Sequence, residues 1–378
     1  MNRMKSLPLL VCALAGTAIA IVEKPSTIQF TDNLGHEKIY SFTTASTGHL
    51  IVNYWDGFAW HWADQGVPQG TTSISMPNAV TFLDSSRHQR IYAFAVGSNG
   101  HLVVNYWDGS EWQWADQGLP AGNVTVFYPN AITYLDTNGK QRIYVFAEGT
   151  NTHLVVNYWD GYAWHWADQG LPAGIACCVN QANAITYVDS NGKQRIYVFA
   201  TANAGQLVVN YWDGYAWHWA DQGLPSGMAS VTSSHAITYR DSSGHQRIYI
   251  FAVGNGHLVV NYWDGFGWHW ADQGLAPGGS NVFDVSAVAY TDAALNQWIY
   301  AAVTTSTPNH LYAHYWDGSS WHWRDQGLPA GATYLWGPNA ILVGQPVEPW
   351  VFAVGSNADL ELNWWTGANW AWKDQGTL

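Results

Sequence analysis

The sequence predicts an all-β fold, a seven-bladed β-propeller of four-stranded antiparallel blades. Three observations predict it: an aromatic signature repeated seven times, four strand-like runs inside each repeat, and the composition. The 378 residues are 15% aromatic, with 25 Trp and 37 Gly, and only 11% charged. Disordered chains have the opposite balance.

The repeat comes first, because it sets everything else. One unit reads HLVVNYWDG, a variable pair, then W-x-W-A-D-Q-G. Its first Trp recurs at Trp55, Trp107, Trp159, Trp212, Trp263, Trp316 and Trp365, at intervals of 52, 52, 53, 51, 53 and 49 residues, a period in the range of propeller blades. Three Trp in each unit make 21 of the 25, so nearly every Trp serves the repeat and not a single-copy site. Within the third unit, strands are expected at Ala131–Leu135, Arg142–Ala147, His153–Trp159 and Tyr162–Ala167. A tight Asp160-Gly161 turn joins the last two, Asp-Gly being a strong hairpin signal. Leu154, Val156 and Tyr158 fall on one face, and Val155, Asn157 and Trp159 on the other. Neither face is mostly charged, as fits a blade covered on both sides by neighbours. The blades fall at about 26–70, 71–122, 123–174, 175–227, 228–278, 279–331 and 332–378. A solenoid is the competing repeat architecture, but it calls for capping units with a polar outer face. Here the first and last units are full length and keep the Trp triplet, which suits a closed ring. Whether the ends exchange a strand is open at this level.

The first twenty residues place Arg3 and Lys5 ahead of an apolar run and end in Ala18 and Ala20, the pattern of a secretory signal peptide. Its removal takes the net charge from −13 to −15. No other apolar stretch reaches the roughly 18 residues of a membrane span, so a secreted protein without membrane insertion is expected. The acidic balance, with 14 Lys+Arg against 27 Asp+Glu, argues against nucleic acid as a partner. Of three Cys, Cys12 leaves with the leader. Cys177 and Cys178 are adjacent, open to a vicinal disulfide, an intermolecular bridge or two thiols.

The NYWDG…WHWADQG unit, seven times over Ser26–Leu378, resembles the Photorhabdus-type seven-bladed propeller lectins, which bind fucose and related or O-methylated sugars. The resemblance implies sugar pockets at the junctions between blades, glycans or glycoconjugates as partners, and allows a homo-oligomer.

The residues give their own reasons for that chemistry. A sugar ring needs an aromatic face against its C–H groups and a few fixed polar groups for its hydroxyls. On hairpin counting, the Asn of NYW shares a sheet face with both Trp of W-x-W and with the Asp of D-Q-G. Opposite them lie Tyr and the central residue of W-x-W. The candidate carbohydrate-binding residues are therefore Asn53, Trp60, Trp62 and Asp64; Asn105, Trp112, Trp114 and Asp116; Asn157, Trp164, Trp166 and Asp168; Asn210, Trp217, Trp219 and Asp221; and Asn261, Trp268, Trp270 and Asp272. The competing reading is structural: Trp107-type residues as inter-blade packing, the Asp of each Asp-Gly as turn chemistry, and Asp-Gln-Gly as closure of the outer strand. The sixth unit carries His314 for Asn and Arg324 for Ala. The seventh carries Trp364, Thr366, Ala371 and Lys373 for Tyr, Asp, His and Ala. Sites built from the first five units are expected to fill first.

Histidine invites a metal reading, but His49, His101, His153, His257 and His310 lie a blade apart, as do the W-H-W histidines, with none of the short pairings of zinc ligands. No metal or cofactor is expected. Catalysis is not expected either. Hydrolysis of a glycoside needs two differentiated carboxylates, and the single-copy acids Glu111, Glu148, Asp284, Glu348 and Glu361 have no evident partner in the sequence. The alternative function is a scaffold that binds protein through its connecting loops, several of which are apolar: Val124–Tyr128, Ile175–Val179, Val282–Val285 and Tyr334–Trp336. They are either core or an exposed patch.

Overall fold

The computed structural model describes residues 20–241, 243–292 and 294–378. The leader reading lies outside these residues, apart from Ala20. Among the described residues no helix is long and apolar enough to cross a membrane. There are seven four-stranded antiparallel sheets, each built from four strands consecutive in the chain. The first strand of every sheet contacts the first strand of the next, and that of the seventh contacts that of the first. The first strands are thus innermost and the ring closes as a seven-bladed propeller.

Each blade obeys the alternation of its sequence. In the third, the strands are Val126–Leu135, Gln141–Gly149, Leu154–Trp159 and Trp164–Gly170. The inner strand begins five residues before its expected start, because a bulge with Tyr128 at φ 50° lets the chain turn a corner and keep pairing. The apolar loops are therefore partly core: Val126, Val179, Val282, Val285 and Leu335 are buried, while Phe127, Tyr128, Phe283 and Tyr334 are exposed. The outer hairpin also differs from expectation. Trp159 pairs with Trp164, so the turn has four residues and Tyr162 sits at its tip instead of opening the outer strand. Asp160 makes this turn rigid: its Oδ1 accepts the N–H groups of Tyr162 (2.7 Å) and Ala163 (2.9 Å), an Asx turn.

Seven hydrophobic clusters fill the seven junctions. In most, a fully buried Phe of one blade meets the first W-x-W Trp of the next: Phe42 and Trp112 at 5.8 Å, Phe94 and Trp164 at 5.8 Å, Phe199 and Trp268 at 5.8 Å, all edge to face. Burial of one such ring contributes about 2–3 kcal/mol. The sixth blade has Ala302 at the Phe position, and Tyr300 makes the contact instead, stacking on Trp370 at 5.4 Å.

Among the described residues no strand is exchanged between the ends. A polar girdle around the axis closes the ring instead. Ser26, Asn78, Asn130, Asn183, His235, Ser286 and Asn339 occupy one position of the inner strand, and each accepts a backbone N–H from the following blade. The donors are Ala79, Ala131, Ala184, Ala236, Ala287, Ala340 and, across the chain ends, Thr27, at 2.7–3.1 Å. Burial depresses the pKa of His235 to about 3, which keeps its Nδ1 free to accept. Cys177 and Cys178 stand as adjacent, half-buried thiols in the connection between blades three and four.

Candidate functional site

The junction of blades four and five shows what each junction is made of. Its second wall is the face of blade five bearing Asn261, Trp263, Trp268, Trp270 and Asp272. The register Asn261 with Trp270, Tyr262 with His269 and Trp263 with Trp268 puts the Asn and Trp on one face and Tyr and His on the other, as the hairpin counting expects. That wall packs on Tyr197, Phe199 and Tyr211 of blade four.

Within the junction the candidate residues have separate tasks. The first W-x-W tryptophans, Trp60, Trp112, Trp164, Trp217 and Trp268, lie against Phe352, Phe42, Phe94, Phe146 and Phe199 of the preceding blade. The second ones clasp that blade: Nε1 of Trp62, Trp114, Trp166, Trp219 and Trp270 donates to the carbonyls of Gln375, Gln65, Gln117, Gln169 and Gln222 at 2.8–2.9 Å. Asn53, Asn105, Asn157, Asn210 and Asn261 are 1% exposed. Each donates from Nδ2 to a carbonyl on the outer strand, and each Oδ1 is without a partner. Asp64, Asp116, Asp168 and Asp272 face Nδ1 of His49, His101, His153 and His257 at 2.8–2.9 Å. Asp64, Asp116, Asp168, Asp221 and Asp272 accept the N–H of the glycine two residues on, at 2.7 Å. Asp272 is four residues from Trp268, about 13 Å along an extended strand. The structure thus gathers Asn and the two Trp inside the junction and sets Asp at its other end, two residues beyond Trp270, where His257 engages it.

The open space lies at the hairpin end. Between blades four and five a cleft of about 610 Å³ is lined by Tyr187, Tyr197 and Asp189 on one side and Gln246, Arg247, Trp263 and Phe266 on the other. Trp263 lies half-buried over Trp268, ring centroids 5.7 Å apart, and so presents a supported aromatic surface. The Trp of NYW, expected as packing alone, is therefore also a cleft wall.

Arg247 is fixed: its Nε donates to Asp241 at 2.9 Å and its NH2 lies 2.6 Å from the same carboxylate. The guanidinium rests on the outer hairpin at Gly265, where a Cβ would come within 2.0 Å of it and φ is +101°. Only glycine satisfies both demands. Burial opposes ionisation of Asp241, but the N–H of His245 and the guanidinium outweigh it and hold the carboxyl below its usual range. Asp189 is held low in the same way by Lys193 N–H and Arg195. Burial pushes Tyr197 up to about 12, so its hydroxyl stays a neutral donor. Gln246 is anchored too, its Oε1 accepting the N–H of Val188 across the junction. The cleft combines aromatic rings with a fixed cation, an anchored amide and carboxylates, a set suited to a small polar ligand with one apolar face.

The arrangement recurs. Arg90, Arg142 and Arg195 pair with Asp84, Asp136 and Asp189 and lie on Gly109, Gly161 and Gly214. Gln89, Gln141 and Gln194 reach the preceding blade at Thr31, Leu83 and Leu135. Sequence reasoning missed these groups as site residues, although Q-R-I-Y recurs once per blade in blades two to five. The other blades depart from it. Lys38 reaches the Asp56 carbonyl in the first, and Trp298 bonds Asp292 in the sixth. Among the described residues no three His, Cys, Asp or Glu side chains gather as a metal site would require.

No protein-family model matches the sequence, and no curated protein matches it. Solved structures do match. The BP39L lectin from Burkholderia pseudomallei superposes with a TM-score of 0.68 at 18% identity, over 93% of this chain and 98% of that one. The shared fold is a β-propeller. A mutant of AofleA from Arthrobotrys oligospora with three arginines changed to alanine matches with a TM-score of 0.56 at 14% identity, over 82% of this chain and 89% of that one. The SapL1 lectin in complex with alpha methyl fucoside gives 0.51 at 16% identity, over 82% and 99%.

Proposed function

We propose that this protein is a secreted, non-enzymatic, multivalent carbohydrate-binding protein that takes fucose or a related sugar at clefts between blades. The observation that carries this reading is the cleft of blades four and five, where Trp263 and Tyr197 offer ring faces beside the anchored Arg247 and Gln246. The apolar C–H face of a sugar suits the former and its hydroxyls the latter. The choice of fucose leans on the resemblance of the repeat and on the ligand bound to SapL1. Secretion leans on the leader. The acids bear on catalysis: Asp64-type residues serve His and glycine N–H groups, and Asp241-type residues serve Arg, which leaves no differentiated carboxylate pair in the cleft.

A shallow site of this kind binds a monosaccharide with high-micromolar to millimolar affinity, about 4–5 kcal/mol. Titration with L-fucose, followed by NMR, is expected to shift tryptophan indole signals saturably. A folded protein that shows no saturable binding to tens of millimolar would reject the reading.

A protein partner is the second reading, favoured by Phe283 and Tyr334 exposed beside Trp336 around a cleft of about 470 Å³ between blades six and seven. Binding to a glycoprotein that survives enzymatic removal of its glycans would select it.

A further inference from the structure

The outer hairpins of blades one, three, four and five carry Phe58, Tyr162, Tyr215 and Phe266 at their tips, 92%, 85%, 90% and 94% exposed; the last three stand on blades that also carry the cleft arginine. Rings so exposed contribute nothing to the core, and the fold does not require them: the equivalent residue is Ser110 in blade two, Ser319 in blade six and Ala368 in blade seven. The backbone beneath the last three is fixed. The N–H of each donates to the turn Asp (Asp160, Asp213, Asp264) at 2.7–2.8 Å, and the following N–H donates to the same oxygen at 2.9 Å. Phe266 also stands on the rim of the cleft floored by Trp263.

We propose that these tip rings form a second subsite, stacking on the sugar unit next to the one held in the cleft, so that the protein prefers a disaccharide terminus to a free monosaccharide. The inference rests on the carbohydrate reading above and assigns it an extended ligand. A ring preset on a rigid turn binds a flat face with little ordering cost. Phe266 stands at the mouth of the cleft, next to whatever the cleft holds. A second copy of the chain fits less well, since the rings come one to a blade among Asp, Gly and His residues and do not merge into one apolar face. The molecule contains its own control: the junction of blades one and two has the Arg90 and Gln89 arrangement but Ser110 at the tip.

The test compares L-fucose with a fucosyl-N-acetylglucosamine disaccharide by calorimetry, on the wild type and on the double variant Tyr162→Ser, Tyr215→Ser, Phe266 being kept because it also lines the cleft. Serine stands there naturally in two blades, so folding should be kept. Expected are a disaccharide bound about two- to tenfold more tightly than fucose by the wild type, a clear reduction of that gain in the variant, and unchanged fucose affinity. In crystals soaked with disaccharide, the second unit should be ordered at the junctions closed by blades three, four and five, and at the junction of blades one and two only after Ser110→Tyr. A gain that persists undiminished in the variant, or fucose affinity that falls equally, overturns the subsite. So does a changed oligomeric state of the variant in sedimentation, which would assign the rings to self-association. Failure of the wild type to bind either sugar is a different result, and rejects the carbohydrate reading itself.

Discussion

Two tryptophans of one repeat separate binding from cohesion at the scale of the residue. Trp263 lines the cleft, half-buried on the ring of Trp268. Trp263→Ala is expected to abolish sugar binding at the junction of blades four and five, a loss of about 1–3 kcal/mol at that site, while other junctions still bind. Trp114 has the opposite job: its Nε1 clasps the Gln65 carbonyl of the preceding blade at 2.8 Å. Trp114→Ala removes that bond and leaves a gap in the junction, so it should cost about 3 kcal/mol of stability with distant sites intact. Thermal melting paired with site occupancy in sugar-soaked crystals checks both. If Trp114→Ala melts normally and empties a junction while Trp263→Ala does neither, the roles are reversed. Both tryptophans were legible in the sequence as members of a triplet. Which of them lines the cleft was not, because that depends on the facing blade and on a turn two residues longer than Asp-Gly suggests.

Blade by blade, the strands were legible because alternation and Asp-Gly signals are local. The inner-strand bulge and the axial girdle were not, since both are set by partners some 53 residues away. Asn78 and Asn130 look in sequence like any strand-ending polar residues, and only the closed ring gives them Ala131 and Ala184 as donors. The shared face of the candidate quartet Asn, Trp, Trp and Asp was legible, while the engagement of its Asp by His257-type residues was not, since it depends on the bulge that closes the outer strand. The seventh blade shows a departure with a measurable consequence. Where blades two to five have Val, it has Glu361, fully buried with Oε2 unpartnered, beside Asn357, Asp359 and Asp374. Burial first, then the charges of Asp374 and Asp359, raise its pKa from 4.5 to about 7. Below pH 4.5 both folded and unfolded states hold the proton, and stability is undiminished. Between 4.5 and 7 the unfolded chain ionises while the fold keeps the proton, so stability falls as pH rises and levels off above about 7. Glu361→Val removes the group. The melting-temperature difference between variant and wild type should grow from pH 4.5 to 7 and then stay constant. A difference independent of pH would show that Glu361 is not protonated in the fold.

The whole ring decides how many such clefts act together. In every blade the turns between strands one and two and between strands three and four lie at the same end, and all seven blades share one orientation, so every hairpin-end cleft opens on one face of the ring. The fixed Arg, its Asp, the glycine beneath it and the anchoring Gln occur together only in blades two to five. At the junction of blades six and seven the place of Arg is taken by Glu348, and Arg324 reaches instead over Trp365, 5.9 Å from its ring centre. Four sites per chain are therefore expected, at four consecutive junctions, in keeping with early filling of sites built from the first five units. Each is weak alone, but four on one rigid face can engage a glycosylated surface at once, and simultaneous engagement raises apparent affinity by about 10²–10⁴ without a new contact. Surface plasmon resonance on dense and sparse fucosylated chips should show this as slow dissociation from the dense chip only. Arg90→Ala, Arg142→Ala and Arg195→Ala in one chain should bring the dense-chip behaviour down to the sparse-chip level, while the junction of blades four and five still takes free sugar. Calorimetry giving seven equal sites per chain, or slow dissociation that survives the three changes, would mean that the arginine clefts are not where the sugars sit.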